Sequence, residues 1–552
     1  MWLQLLLGLT LFVAISKQLS LPTDPTYHAG VVEFTVQKGT AKQRTEETTN
    51  LFLSIIRGAD VADLDMLVFP EVVLNSPETA TFVPDPAQNV TPCFMTDYDV
   101  FLVELSCAAR SRGIYLVVNM QEKELCGKGY GADTWAPCPN DGVRIFNTNV
   151  VFDRTGKVIS RYRKSHLWRR EYKTRAVLKQ ADISTFTTDF GVTFGHFICF
   201  DMMFYEPAMR LVLEKNITDI IYPTYWFSEL PFLTAIQLQE GWAYANDVNL
   251  LAADGSWPET KTTGSGIYAG RLGRLNASIY EQPTRQLLKA HVPKRIHGQP
   301  AVELPTIVLP RFQPLLTTQR ITQVDTYRDF NLDIFATILL PLNFLNVSQR
   351  VCHNAFCCEF ELQRRFIDNS NVYAAYRYRL GAYFGNETTV LRVDRTEQAV
   401  CALFACRDAE LISCGSIFPA GVAVANTHYF EQAHVSGDFP AAARRLIMPS
   451  TLNGVFMPLP VAQYEWLESP AAKLLQRTRV NLTLTAPQND LLTFGIWANY
   501  FTQLQSTHGL NHMQAVNANS NADNNSSNLP ALNLFLLSTL FVLLGVFNKL
   551  TL

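Results

Sequence analysis

Eleven cysteines, an odd number, place the strongest constraint on this 552-residue chain. In a secreted protein at least one thiol must then stay unpaired or pair outside the molecule. In an oxidising compartment a free thiol usually persists only where its reactivity is used. Cys93, Cys107, Cys126 and Cys138 form one group, and Cys352, Cys357, Cys358, Cys401, Cys406 and Cys414 form another. Between them lies Cys199, in the run Gly195-His196-Phe197-Ile198-Cys199-Phe200-Asp201. If each group closes its own disulfides, Cys199 is the remainder. Four cysteines allow three pairings and six allow fifteen, so the connectivity stays open. The segment Cys352-x4-Cys357-Cys358 lacks zinc-site spacing, which favours disulfides over a metal centre. Neither a metal nor a cofactor is expected.

The ends of the chain support secretion. Met1 to Ser20 carries an apolar stretch, Leu3 to Ile15, and a small-x-small step, Ala14-Ile15-Ser16, and reads as a signal peptide over 1–20. At the other end a polar spacer over 506–528 includes the Asn- and Ser-rich run Asn517 to Asn528, and the apolar run Leu529 to Phe547 follows. Small residues, a spacer and a greasy tail form the pattern of a GPI-anchor signal. The expected attachment site lies within Asn519 to Ser526, with 529–552 removed; a single spanning helix is the alternative. Asn89, Asn216, Asn276, Asn346, Asn386 and Asn481 each begin Asn-x-Ser/Thr, a glycosylation acceptor pattern, and Asn524 and Asn525 add two in the tail. A net charge of −3 without a basic stripe argues against a nucleic-acid partner. The expectation is a glycoprotein carried through the secretory pathway to the outer face of the plasma membrane, with no obligate protein partner.

About 500 residues remain, too many for one ordinary core. From Tyr27 to about Val292 short apolar strands alternate with helical patterns, which points to an α/β domain over 27–310. Leu64 to Phe69, Ile114 to Val118, Val192 to Phe200 and Asp219 to Tyr222 read as strands, and Tyr98 to Arg112 and Pro207 to Lys215 as helices. Asn149 to Asp153 and Lys157 to Tyr162 flank a turn at Arg154-Thr155-Gly156. Over 315–505 short β-rich segments dominate, such as Val390 to Val393 and Val480 to Leu484, which predicts a second, mostly β domain.

Three chemically able residues follow strand-like runs: Glu71 after Leu67-Val68-Phe69-Pro70, Lys164 after Arg161-Tyr162-Arg163, and Cys199 at the end of the run from Val192. Strand ends of α/β folds gather functional side chains whatever their separation in sequence. A carboxylate can take the thiol proton, and a lysine can favour the thiolate and then hold an oxyanion. Singly, Glu71 reads as a loop carboxylate and Lys164 as a solvated charge. Together with Cys199 they suffice for covalent amide hydrolysis without a histidine.

Phe69-Pro70-Glu71, Arg161-Tyr162-Arg163-Lys164 and Cys199-Phe200-Asp201 resemble the three motifs of the nitrilase (carbon–nitrogen hydrolase) superfamily. The longer runs Gly195 to Phe204, Tyr222-Pro223-Thr224-Tyr225-Trp226 and Thr263 to Tyr268 resemble its vanin and biotinidase branch. Val351-Cys352 through Phe356-Cys357-Cys358 resembles the cysteine-rich base domain of that branch. The resemblance implies a nitrilase-like α-β-β-α sandwich followed by a mostly β base domain. It implies that Glu71 is the base, Lys164 the oxyanion-stabilising lysine and Cys199 the nucleophile, with the Phe200 N–H completing the oxyanion hole. Glu171 matches a second, orienting glutamate; Tyr225 and Trp226 are candidates to line the substrate pocket, with packing in the core as the alternative reading. The implied reaction is hydrolysis of pantetheine to pantothenate and cysteamine. Alternatives are hydrolysis of biotin amides and a surface adhesion protein with little turnover. One departure stands out: the vanin-type motif continues after its glutamate with Asp-Gly, whereas Glu71 is followed by Val72-Val73-Leu74.

Overall fold

The computed structural model describes residues 19–295, 317–319, 324–329, 331–367, 374–386, 396–419, 421–470 and 476–501. Most of the expected signal segment, the spacer with Asn519 to Ser526, the apolar tail and the strand expected at Val390 to Val393 lie outside them. Among the described residues no helix is long and apolar enough to cross a membrane.

Residues 26–293 form β1 (Thr26–Phe34), β2 (Met66–Val68), β3 (Tyr115–Leu125), β4 (Val143–Phe152), β5 (Val158–Arg163), β6 (Thr185–Thr187) and β7 (Thr193–His196). There follow β8 (Asp219–Thr224), the two-residue β9 (Glu229–Leu230), β10 (Asn249–Asp254), β11 (Ser265–Ala269), β12 (Arg274–Ser278) and β13 (Arg285–Pro293). The helices are α1 (Ala41–Arg57), α2 (Val100–Arg112), the single turn α3 (Arg210–Leu213) and α4 (Ala235–Asn246). One six-stranded sheet has the order β13-β1-β2-β3-β4-β5, the other β12-β11-β10-β8-β7-β6. The inner strands of each are parallel and the outer ones antiparallel.

Side-chain alternation along β1 explains the layering. Ala29 and Val31 pack with Val68 and with Phe194, Ile221 and Leu251 of the other sheet, so they lie between the sheets. Val32 and Phe34 point the other way, onto Phe52 and Ile56 of α1. Phe52 stacks on Phe69 with ring centroids 3.8 Å apart; burying such a ring contributes about 1.5–3 kcal/mol before ordering costs. On the outer face of the second sheet, Tyr222 and Leu250 pack under Leu238 and Trp242 of α4. The result is an α-β-β-α sandwich.

Beyond residue 335 the described chain is mostly antiparallel β, in two five-stranded sheets and a small three-stranded one that includes Thr317–Gln319. Cys357 and Cys358 are neighbours on one strand, so their side chains leave opposite faces and need different partners. Cys357 closes a hairpin with Cys352, and Cys358 reaches Cys401 in the other sheet. The remaining bridges are Cys93–Cys107, Cys126–Cys138 and Cys406–Cys414, which leaves Cys199 as a free, buried thiol. Phe404, Met448 and Trp497 of this half share a core with α4. Every residue from Ala235 to Tyr244 is buried, as expected of a helix covered on all sides. Its polar residues find partners there: Gln237 Nε2 donates to Ser450 Oγ (2.9 Å) and to Pro231 O (3.0 Å).

A short strap also crosses between the halves. Tyr327–Arg328 pairs in parallel with β9, and the Tyr327 N–H donates to Ser228 O at 2.8 Å. Of the glycosylation acceptors, Asn89, Asn216, Asn346 and Asn386 are exposed. Asn276 and Asn481 are half-buried in strands, and Asn276 Nδ2 already donates to Lys289 O.

Candidate active site

Glu71 lies three residues past β2 and Lys164 one past β5. Cys199 does not end a strand as the sequence suggested. β7 stops at His196, and Cys199 opens a 3-10 turn, Cys199–Met203, with φ +47°. The cause is Asp201. Its carboxylate accepts from the Ile198 N–H (3.1 Å) while its own N–H donates to Ile198 O (3.0 Å), which curls the chain before pairing with β8 can continue. The same carboxylate accepts from Tyr162 OH (2.7 Å) and the His166 N–H (2.8 Å), so it ties the Cys199 turn to both sides of Lys164.

Lys164 Nζ donates to Glu71 Oε1 at 2.6 Å and to Glu171 Oε2 at 2.9 Å. Asn147, on β4, bridges the same two carboxylates from the other side: its Nδ2 donates to Glu71 Oε1 (2.7 Å) and Glu171 Oε1 (2.9 Å). Asn119, on β3, donates to Asn147 Oδ1 (2.7 Å) and accepts from the Val72 N–H (2.8 Å). Asn119 and Asn147 are fully buried, and sequence reasoning missed both. The available signal was amide side chains, in Phe146-Asn147-Thr148-Asn149 and at Asn119, interrupting strands that otherwise read as buried. The Val72 backbone sits at φ +52°, a left-handed conformation that is strained for a β-branched residue.

Charge follows from burial and pairing. Burial raises the Glu71 carboxyl, and the neighbouring Glu171 charge adds to this against Lys164. Burial also pushes Glu171 up, but Lys164 and the N–H donors of Trp168 and Asn147 outweigh it, so Glu171 stays ionised. Burial disfavours the Lys164 ammonium, yet Glu171 and Glu71 hold its pKa well above the usual value. The Cys199 thiol is pushed well up, first by burial and then by the Glu71 charge, against the pull of Lys164. The resting arrangement is therefore a neutral thiol beside a fixed ammonium and a carboxylate whose proton affinity burial has raised, which suits proton transfer in both directions. Cys199 Sγ lies 3.6 Å from Tyr225 O, and Tyr222 OH donates to Cys199 O at 2.9 Å.

Glu71, Lys164, Cys199 and Glu171 thus come together. Phe200 begins an aromatic wall: its ring meets Trp168 edge-on at 4.8 Å. Tyr225 meets Trp257 at 5.0 Å and Phe227 at 5.3 Å. Trp226 does not join this wall. Its ring is packed in the core and donates Nε1–H to Leu233 O at 2.9 Å, because Asp254 Oδ1 holds its backbone N–H.

Residues 35–241 match the carbon–nitrogen hydrolase family and residues 324–504 the Vanin C-terminal domain. Vanin-like protein 1 of Drosophila melanogaster is 39% identical over 518 residues, spanning 91% of this chain and 90% of that protein. Pantetheinase of Bos taurus is 33% identical over 362 residues, 65% of each chain. Among solved structures, Saccharomyces cerevisiae Nit3, a member of branch 10 of the nitrilase superfamily, is similar at 18% identity and a TM-score of 0.37. That match covers 50% of this chain and 93% of the other.

Proposed function

Because the chain belongs to the vanin-like family of carbon–nitrogen hydrolases, we propose that it is a thiol-dependent amidohydrolase that cleaves pantetheine to pantothenate and cysteamine. The observation that carries this reading is the convergence of three separate loops: Lys164 Nζ lies 2.6 Å from Glu71, and Cys199 interacts electrostatically with both. Cys199 Sγ attacks the amide carbon as its proton passes to Glu71. Lys164 and the Phe200 N–H hold the oxyanion that forms. The carbon–nitrogen bond breaks as Glu71 returns its proton to the leaving nitrogen, and a thioester remains. Glu71 then takes a proton from water, the hydroxide equivalent adds to the thioester carbon, and the carbon–sulfur bond breaks with the proton returning to Cys199. Glu171 orients Lys164 throughout.

The relatives that carry the name pantetheinase support this substrate over biotin amides. We further propose that residues 27–310 act as the catalytic domain and 315–505 as its base domain. The mature protein is then glycosylated and held on the cell surface by a GPI anchor attached within Asn519 to Ser526. Cysteamine release from pantetheine and biotin release from biocytin, assayed side by side with Cys199→Ala as control, test the reaction. Turnover of neither substrate, together with no labelling of Cys199 by thiol reagents, would sink it and leave a surface protein with little turnover. Release from cells by a phosphatidylinositol-specific phospholipase separates a lipid anchor from a spanning helix.

A further inference from the structure

The chain of ring contacts that starts at Phe200, next to Cys199 in sequence, ends at two cations. Trp168 stacks on Phe227 at 6.3 Å, and Phe227 meets Tyr327 at 6.2 Å. The Arg169 guanidinium lies 5.4 Å from the Trp168 ring and 5.2 Å from the Tyr327 ring. Lys261 Nζ lies 5.0 Å from the Tyr327 ring as well. Two positive charges thus share one tyrosine, and among the described residues neither forms an ion pair with a carboxylate. Like charges gathered around one ring repel each other, and an anion bound between them would offset that repulsion.

A second observation points the same way. Trp168 Nε1 and Arg169 Nε are buried donors on consecutive residues, and neither has an acceptor among the described residues. Buried donors in folded proteins are nearly always paired, so two adjacent orphans on one wall call for acceptors that arrive from outside. Arg169 is moreover held in the left-handed region, at φ +46°, a strained conformation of the kind that gathers at ligand sites.

We propose that this wall is a subsite for the acyl half of the substrate, and that Arg169 and Lys261 bind an oxyanion, a phosphate or a carboxylate, at its far end. The assignment to the acyl half rests on the function proposed above, in which the leaving amine is a two-carbon aminothiol too small to reach along the wall. Trp168 Nε1–H donates to a carbonyl or hydroxyl along the acyl chain. The planar guanidinium, lying against two rings, presents its N–H fork to the anion, and Lys261 adds a point charge. Tyr327 sets the position of both cations.

The test compares pantetheine with its terminal phosphate monoester and with a matched analogue ending in a carboxylate. The ratio of kcat/KM for each anionic substrate to that for the neutral parent is the readout. The expected ratio for at least one anion is about tenfold at low salt and falls as ionic strength rises, because a rim interaction is screened. Arg169→Gln should bring that ratio close to one, Arg169→Lys should keep part of it, and Lys261→Gln should lower it. Preference for the phosphate alone or the carboxylate alone identifies which oxyanion is bound. A ratio near one for both in the wild type, unmoved by the variants, overturns the subsite. Calorimetric binding of the phosphate monoester and the neutral parent to Cys199→Ala needs no turnover. Failure of the hydrolase reading therefore shows as absent turnover, while failure of the subsite shows as equal binding of charged and neutral molecules.

Discussion

Tyr162 and Asp201 are joined by a hydrogen bond of 2.7 Å between two fully buried side chains, and through it the strand carrying Lys164 grips the turn carrying Cys199. Tyr162→Phe removes one of the donors to Asp201 and leaves the others. The expected cost is about 1 kcal/mol of stability, with a fall of about tenfold in kcat and little change in KM, because the distance between lysine and thiol is then held from the His166 side alone. Wild-type kcat in Tyr162→Phe would mean that the two loops are positioned by other contacts.

Activity should fall at acid pH as Glu71 becomes protonated and can no longer accept the thiol proton. Since burial and the Glu171 charge raise the Glu71 pKa, this limb lies above the usual carboxylate range. Glu171→Gln removes the like charge, so the acid limb of kcat/KM should move to lower pH. A limb that moves upward instead would show that Glu171 acts on Glu71 mainly through Lys164.

Asn147→Leu should move the same limb the other way. The amide donates to the ionised Glu71 carboxylate, and its loss favours the protonated acid. At neutral pH the variant should lose about tenfold or more in kcat/KM. Identical shifts in Asn147→Leu and Glu171→Gln would refute the opposed roles given to these two neighbours.

Glu33 lies in a buried pocket of hydroxyls, accepting from Ser265 Oγ at 2.8 Å and from Thr263, and burial pushes its pKa up to about 7. A carboxyl raised in the folded state binds its proton more tightly there than in the unfolded chain. The stabilisation it gives is therefore complete below pH 4.5 and lost as pH rises through about 7. Glu33→Gln stays neutral throughout, so its stability relative to wild type should grow by about 2.5 kcal/mol between pH 5 and pH 8. Melting temperatures of both proteins across that range are the check, and parallel curves would count against a proton on Glu33.

Val72→Gly should stabilise the fold. A left-handed conformation costs a non-glycine residue about 1–2 kcal/mol, more if β-branched, and glycine's greater freedom when unfolded returns part of that. A net gain of about 1 kcal/mol by chemical denaturation is expected. A loss would mean that the valine side chain earns its place by packing.

Glu71, Lys164 and Cys199 were legible because each sits in a short run whose pattern is local. Asn147 and Asn119 were not, since their partners lie on other strands and an isolated asparagine in an apolar run signals nothing by itself. Asp201 belongs to a recognisable local run, but its work, bending the chain and holding Tyr162, exists only once the ends of β5 and β7 come together. The cysteine count isolated Cys199, whereas the partners of Cys357 and Cys358 needed two sheets to be brought face to face. Tyr225 and Trp226, adjacent in sequence, divided between wall and core because Asp254, nearly thirty residues away, holds the backbone at that point.

The Tyr327–Arg328 strap, paired with β9 and pinned by backbone N–H bonds from Asp325, Tyr327 and Asp329 to Pro258, Ser228 and Leu230, sets the register of the far end of the aromatic wall. Because successive side chains on a strand face opposite ways, a slip of one residue would exchange the Tyr327 ring for Thr326 or Arg328. One slip would remove the ring that two cations share, and the other would crowd a third cation beside them. The register of this one short strand thus decides which side chain the two cations meet, while Glu71, Lys164 and Cys199 lie on other elements.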